Sequence, residues 1–229
     1  NVDYLMIKKL LKRLRDLVVG DFRSKILSDL IVNKIIKYNK QKNIKILDYG
    51  SGFQPNVIYF VYNKLTKVYK KKVVVDCYDF YTLKQLAELN KKKKLPINFY
   101  QINAIKSNKN KYDFATINDV LHHIGIENED FIKNLLNNLI AKTKVIFIKD
   151  HFQQGFVSNQ TIRLMDFLGN YFNDVPIPKL YYTKKTFEDL IKKTNGSISE
   201  IILEIKLYPA YLLFLSNPKF NFACLIKKR

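Results

Sequence analysis

The chain has no tryptophan, two cysteines, seven glycines and six prolines in 229 residues, and only five of its 40 basic residues are arginine. Each shortage excludes something. Cys77 and Cys224 are too few for a disulfide scaffold and too far apart for a local Cys-Cys zinc pair. A reducing, cytoplasmic setting is expected. So little glycine and proline excludes collagen-like and low-complexity chains. No apolar run approaches the roughly 20 residues that a membrane span needs, and no signal-peptide pattern opens the sequence. Acidic residues number 20, which leaves a net charge of +20. Nucleic acid would account for such a charge, but phosphate and base recognition favour arginine forks. The excess here is lysine, in runs at 70–72 and 91–94 that read as solvated loops. Lysine rises together with Asn, Ile, Tyr and Phe, the mix of an AT-rich coding sequence. A small molecule is therefore the favoured partner and nucleic acid the second choice. Nothing in the sequence fixes an oligomeric state.

What is present is a chain at 47% hydrophobic, enough for one full core. Residues 1–40 read as an N-terminal helical arm. Leu5, Leu10, Leu11, Leu14, Leu17 and Val18 recur at helical spacing, Gly20-Asp21 breaks the pattern, and a second helix spans 22–38. Strands are expected at 44–48, 73–78, 97–102, 112–117 and 145–149, with helices at 55–65, 82–89 and 130–141. That alternation predicts βαβ crossovers and a parallel sheet with helices on both faces. A longer connection, 152–182, follows, with a helix near 158–170. Thr183 then caps a helix over 184–193. Two β-like runs, 198–207 and 220–226, have no helix between them and predict an antiparallel hairpin. The expected fold is α/β, a seven-stranded, mostly parallel sheet in one domain, 41–229.

Such sheets bind ligands at the carboxyl ends of their strands. The first strand runs into Asp48-Tyr49-Gly50-Ser51-Gly52 and then a helix that Pro55 opens. The two glycines let backbone approach a ligand, and the helix offers unpaired N–H groups. Gln54 stands where a dinucleotide fingerprint has its third glycine. The only three histidines, His122, His123 and His151, fall just past two strand ends on the same face of the sheet. One of the adjacent pair is expected to face the core or a backbone carbonyl. No His/Cys/carboxylate set has local metal-ligand spacing, so no metal is expected. Arg163, Asp166 and Asn170 share one helix face.

The segments Leu47-Asp48-Tyr49-Gly50-Ser51-Gly52 and Tyr112-Asp113-Phe114 through Val120-Leu121-His122-His123-Ile124 resemble class I S-adenosylmethionine-dependent methyltransferases. The resemblance covers about 44–149 well and the last third in pattern only. It implies a Rossmann-like methyltransferase fold with S-adenosylmethionine as cofactor. Asp48, Gly50, Ser51 and Gly52 would form the cofactor turn. Asp79, or Asp76 one alternation back, would hold the ribose. Asn103 and Ala104 stand where the family has an Asp-Ala pair near the adenine, and Asn118 and Asp119 would shape the pocket beside the methionine moiety. The acceptor would lie between Asp150-His151, the candidate bases, and a lid formed by 152–182, touching His122, His123, Arg163, Asp166 and Asn170. Three other readings compete: an RNA-directed methyltransferase using the basic surface, a nucleotide-binding reductase using the same Gly-x-Gly turn, which would bind NADPH but lacks the third glycine, and a non-catalytic methyltransferase-like binding module.

Overall fold

In the computed structural model the described residues are 21–52, 55–91, 96–170, 176–208 and 217–229. The helix expected within residues 1–20 lies outside them. The arm's second helix is α1 (Phe22–Tyr38). Then follow β1 (Asn43–Tyr49), α2 (Asn56–Lys67), β2 (Lys72–Asp79), α3 (Leu83–Lys91), β3 (Ile97–Gln101), α4 (Ala104–Ser107) and β4 (Tyr112–Asn118). The chain continues through α5 (Leu121–Ile124), α6 (Glu129–Lys142), β5 (Thr143–His151), α7 (Phe156–Asn170), α8 (Lys184–Lys192), β6 (Gly196–Leu203) and β7 (Asn221–Lys228).

The seven strands form one sheet in the order β3-β2-β1-β4-β5-β7-β6. Pairs from β3 to β5 are parallel, and β7 runs antiparallel between β5 and β6. The order reverses between β1 and β4, and open α/β sheets bind ligands outside the carboxyl ends of the strands at such a switch point.

Alternation along the strands divides the core in two. Ile44 and Ile46 of β1, Phe114 of β4, and Val145 and Phe147 of β5 pack under α1, α2 and α3. Leu47, Ala115, Ile117, Ile146 and Ile148 pack under α6 and α8. α1 reaches the sheet through Leu27, Ile31, Val32 and Ile35, one stripe of a 3.6-residue period. α8 is held at its start by a reciprocal box: Thr186 N–H donates to Thr183 Oγ1 at 3.1 Å and Thr183 N–H to Thr186 Oγ1 at 2.9 Å.

Two boundaries and two short helices differ from expectation, for physical reasons. β5 extends to His151 because β7 pairs with it that far, His151 opposite Asn221. His151 is therefore the last strand residue rather than a residue beyond it. β6 stops at Leu203 because Glu204 takes a positive φ of 56°. The short helices α4 and α5 carry too few residues to show a period. Among the described residues, no helix is long and apolar enough to cross a membrane.

Candidate functional site

The β1–α2 turn needs its glycines. Gly50 and Gly52 have φ of +77° and +69°. A Cβ on Gly50 would meet Val120 Cγ2 at 2.2 Å, whereas one on Gly52 would meet nothing within 4 Å among the described residues. Gly50 thus lets the turn pack on the β4–α5 link, and Gly52 leaves an open side. Gly52 N–H donates to Asp79 Oδ2 and Phe80 N–H to Asp79 Oδ1, each at 2.6 Å. Two carboxylate oxygens offer about four acceptor directions, so Asp79 keeps capacity for further donors. Ser51 Oγ meets Tyr81 OH at 2.6 Å, which ties the turn to the end of β2.

Asp76 is placed differently. It lies buried within β2 and accepts from Asn98 Nδ2 at 2.8 Å and Tyr112 OH at 2.7 Å. Asp48 is buried beside Thr116, whose hydroxyl it accepts. Burial pushes its carboxyl up to about 7. Asn118 ends β4 with its Oδ1 buried and, among the described residues, without a hydrogen-bond partner. Asn103 opens α4 exposed and makes no side-chain cap; Ala104 beside it is half-buried. Phe80 and Leu83, beside Asp79, are both 78% exposed.

Across the switch point lies a buried charged cluster. Asp150 and His151 are neighbours on β5, so alternation sends them to opposite faces of the sheet. The two candidate bases therefore stand in separate surroundings. Asp150 instead holds His122: its Oδ1 lies 2.5 Å from His122 Nδ1, and its Oδ2 accepts from His122 N–H at 3.3 Å. Burial pulls the His122 ring down, but Asp150 and Asp166 outweigh it and raise it to about 9. His123 turns its Nδ1 to the Pro176 carbonyl at 2.9 Å, as expected for one of the two. Burial and the neighbouring His122 charge lower it.

His151, with Lys149, faces the α1 side. Its Nε2 lies 3.3 Å from Asp119 Oδ1 and 3.4 Å from Lys149 Nζ, and its Nδ1 is buried without a partner among the described residues. Burial, then the charge of Lys149, hold it well below the usual histidine range, so it is neutral at pH 7. Lys149 is 0% exposed and pairs with Asp119, which also pairs with Arg23 of α1. Burial and the Arg23 charge lower the Lys149 amine well below its ordinary value.

The described residues of the connection after β5 reach this cluster through Asp166 and Tyr181. Gln153 N–H donates to the Tyr182 carbonyl at 2.9 Å, tying its two ends together. Asn159 of α7 donates to the Lys179 carbonyl at 3.0 Å and accepts from Tyr181 N–H at 3.1 Å. Asp166 accepts from Tyr181 OH and lies 3.1 Å from His122 Nε2. Arg163 donates to Gln160 at 3.1 Å, so Asp166 turns to His122 and Tyr181 rather than to Arg163. Asn170 ends α7, with its side chain outside the described set.

Among the described residues, two groups could hold a metal ion: His122, His123 and Asp166, or Asp119, His122 and Asp150. Local spacing could not show either, because each joins residues from separate elements. Sequence reasoning also passed over Lys149, Arg23 and Tyr181. Lys149 carried a usable signal, a charged residue within a strand otherwise buried on both faces. A cleft of about 250 Å³ lined by Tyr38, Asn39, Asp113 and Lys144 opens at the amino ends of β4 and β5, away from all these groups.

No protein-family model and no curated protein sequence matches the chain. Solved structures do. The mitomycin 7-O-methyltransferase MmcR aligns with 91% of this chain at 13% identity and a TM-score of 0.61. The chain spans about half of that protein's length, 54%. The plantazolicin methyltransferase BpumL, solved with S-adenosylhomocysteine, aligns over 96% of this chain and 90% of its own, at 16% identity and a TM-score of 0.58. A cyclopropane-fatty-acyl-phospholipid synthase-like protein from Lactobacillus casei aligns over 96% and 99%, at 12% identity and a TM-score of 0.57. The strand order, the antiparallel β7 and these alignments together give the chain the Rossmann-like fold of S-adenosylmethionine-dependent methyltransferases.

Proposed function

We propose that the chain is a methyltransferase that binds S-adenosylmethionine and methylates a small-molecule acceptor. The observation that carries this reading is the juxtaposition at the sheet's switch point: an open glycine turn with Asp79 on one side, and a neutral buried histidine on the other. The residues fit the cofactor. Among the described residues Gly52 leaves space beside the turn and Asn118 Oδ1 lacks a partner, and Asp79 retains acceptor capacity for the ribose hydroxyls. Gly50 and Ser51 shape the turn, and Asp48 supports it from beneath. Phe80 and Leu83 offer apolar surface for the base, with Asn103 and Ala104 at its rim. The names of the aligned MmcR and BpumL support this choice of chemistry.

When bound, the cofactor supplies a methyl group on an already activated sulfonium. The chain must then align the acceptor, exclude water and, where the acceptor carries a proton, remove it. His151 takes that proton on Nδ1, the buried nitrogen without a partner. Its Nε2 faces Asp119, which orients the ring and would stabilise the imidazolium. Asp150 acts at one remove by fixing His122. His122, His123, Arg163, Asp166 and Asn170 form the acceptor end, and 152–182 serves as its cover.

Methyl-labelled S-adenosylmethionine incubated with a panel of small phenols, acids and amines should pass label to an organic product. His151→Ala should cut that turnover by about 10²–10⁴-fold and leave cofactor affinity within about twofold. Lost cofactor binding in the variant would make His151 a structural residue instead. Turnover unchanged in His151→Ala would remove the base from the mechanism.

A further inference from the structure

We propose that His122, His123 and Asp166 form a binding site for one divalent transition-metal ion of the zinc type. One ring nitrogen from each histidine and one Asp166 oxygen lie within 4.8 Å of one another. Three features set this group apart from a chance meeting of polar side chains.

The first is the support behind each ring. A metal-bound histidine donates its other N–H to a carboxylate or a backbone carbonyl, which fixes the ring and its tautomer. His122 Nδ1 meets Asp150 Oδ1 at 2.5 Å, and His123 Nδ1 meets the Pro176 carbonyl at 2.9 Å. A carbonyl only accepts, so the proton of His123 sits on Nδ1 and its Nε2 keeps a lone pair.

The second is spacing. Atoms bound about 2.1 Å from one ion stand roughly 3–3.4 Å apart at octahedral to tetrahedral angles. His122 Nε2 and Asp166 Oδ2 are 3.1 Å apart.

The third is direction. His122 Nε2 is buried and makes no hydrogen bond among the described residues, although that oxygen is so near. The oxygen lies off the ring N–H axis, a poor place for an acceptor and an ordinary one for a second ligand. The alternative group, Asp119 with His122 and Asp150, is disfavoured. Its His122–Asp150 contact at 2.5 Å is that of a hydrogen bond, closer than two ligands of one ion stand.

Two imidazoles and one carboxylate suit zinc and its neighbours rather than magnesium or calcium. Three protein ligands leave at least one position open for water or an acceptor oxygen. Only that last role rests on the methyltransferase reading. The ion would then turn the acceptor end into a site for oxygen-rich molecules that can chelate.

The test uses the intact chain, stripped with a chelator and titrated calorimetrically with zinc chloride alone. Metal content after dialysis gives the stoichiometry, expected as one ion per chain. His123→Gln and Asp166→Asn should each weaken binding by at least about tenfold, and Asp150→Asn by about 10–100-fold. Circular dichroism checks that each variant folds. His123 is only half-buried, so its variant carries the test if Asp166→Asn does not fold. No saturable zinc binding, or binding that none of the folded variants weakens, overturns the proposal. S-adenosylhomocysteine titrated separately into the metal-free chain reports on the methyltransferase reading, so either can fail without the other.

Discussion

Replacing Asp119 by Asn tests the buried charge network most sharply. Asn keeps the size of the side chain and tolerates the positive φ of 53° at this position, so strain is not added. What is lost is the carboxylate that pairs Lys149, Arg23 and His151. Removing one partner of a buried ion pair costs about 3–5 kcal/mol. Two facts reduce that here. Asp119 is 19% exposed, and the Lys149 amine, lowered by burial and by Arg23, can shed its proton. The expected loss at pH 7 is therefore about 2–3 kcal/mol, or a fall in Tm of roughly 4–12 °C for a chain of this size. The pH dependence follows in sign. The unfolded chain holds the Lys149 proton more tightly than the folded one, so burying this amine costs stability at low pH. That cost fades as pH rises towards the ordinary lysine value of 10.5. The deficit of Asp119→Asn should shrink between pH 7 and 10 in urea denaturation. Lys149→Met should be near neutral, and the double variant should recover most of the loss. A deficit below about 0.5 kcal/mol at pH 7, or one as large at pH 10, would refute the reasoning.

Three further outcomes follow from the site. Gly50→Ala should cost about 3 kcal/mol or more, since a clash with Val120 adds to left-handed strain, whereas Gly52→Ala should cost about 1 kcal/mol; denaturant midpoints separate the two. Nuclear magnetic resonance titration should find His122 changing protonation near pH 9 and His151 neutral to well below 6.5. The stability that His122 draws from Asp150 should be complete below 6.5 and lost as pH rises through about 9, so Asp150→Asn should remove the upper titration. Thr183→Ala breaks the reciprocal box at the start of α8 and should cost about 1 kcal/mol, read from the same denaturation curves.

The central half of the fold was legible because its strands are apolar runs separated by amphipathic helices, a pattern that local periodicity reports. The two glycines and Asp79 were legible too, since a strand-to-helix turn with φ above zero and a strand-end carboxylate each leave a mark in sequence. The histidine cluster was half legible. Position near two strand ends was visible, although His151 proved to be the last residue of its strand, and the partners were not visible. Asp150 serves His122 rather than His151 because adjacent strand residues face opposite ways. Asp166 meets His122 only because Asn159 and Tyr181 dock α7 against the chain before α8. Lys149 was hidden by its type. A lysine is read as solvated unless the burial of the strand on both faces is weighed against it, and here every residue of β5 after Lys144 is buried.

The measurement closest to the central claim is calorimetric titration with S-adenosylmethionine and S-adenosylhomocysteine, with NADPH as the competing cofactor. Micromolar-range binding of both adenosyl compounds and none of NADPH is predicted. Asp79→Ala should weaken that binding by about 1.5–3 kcal/mol, the contribution of hydrogen bonds to a charged acceptor, while Asp76→Ala should leave it nearly unchanged. Binding of NADPH in place of the adenosyl compounds, or full affinity in Asp79→Ala, would contradict the account.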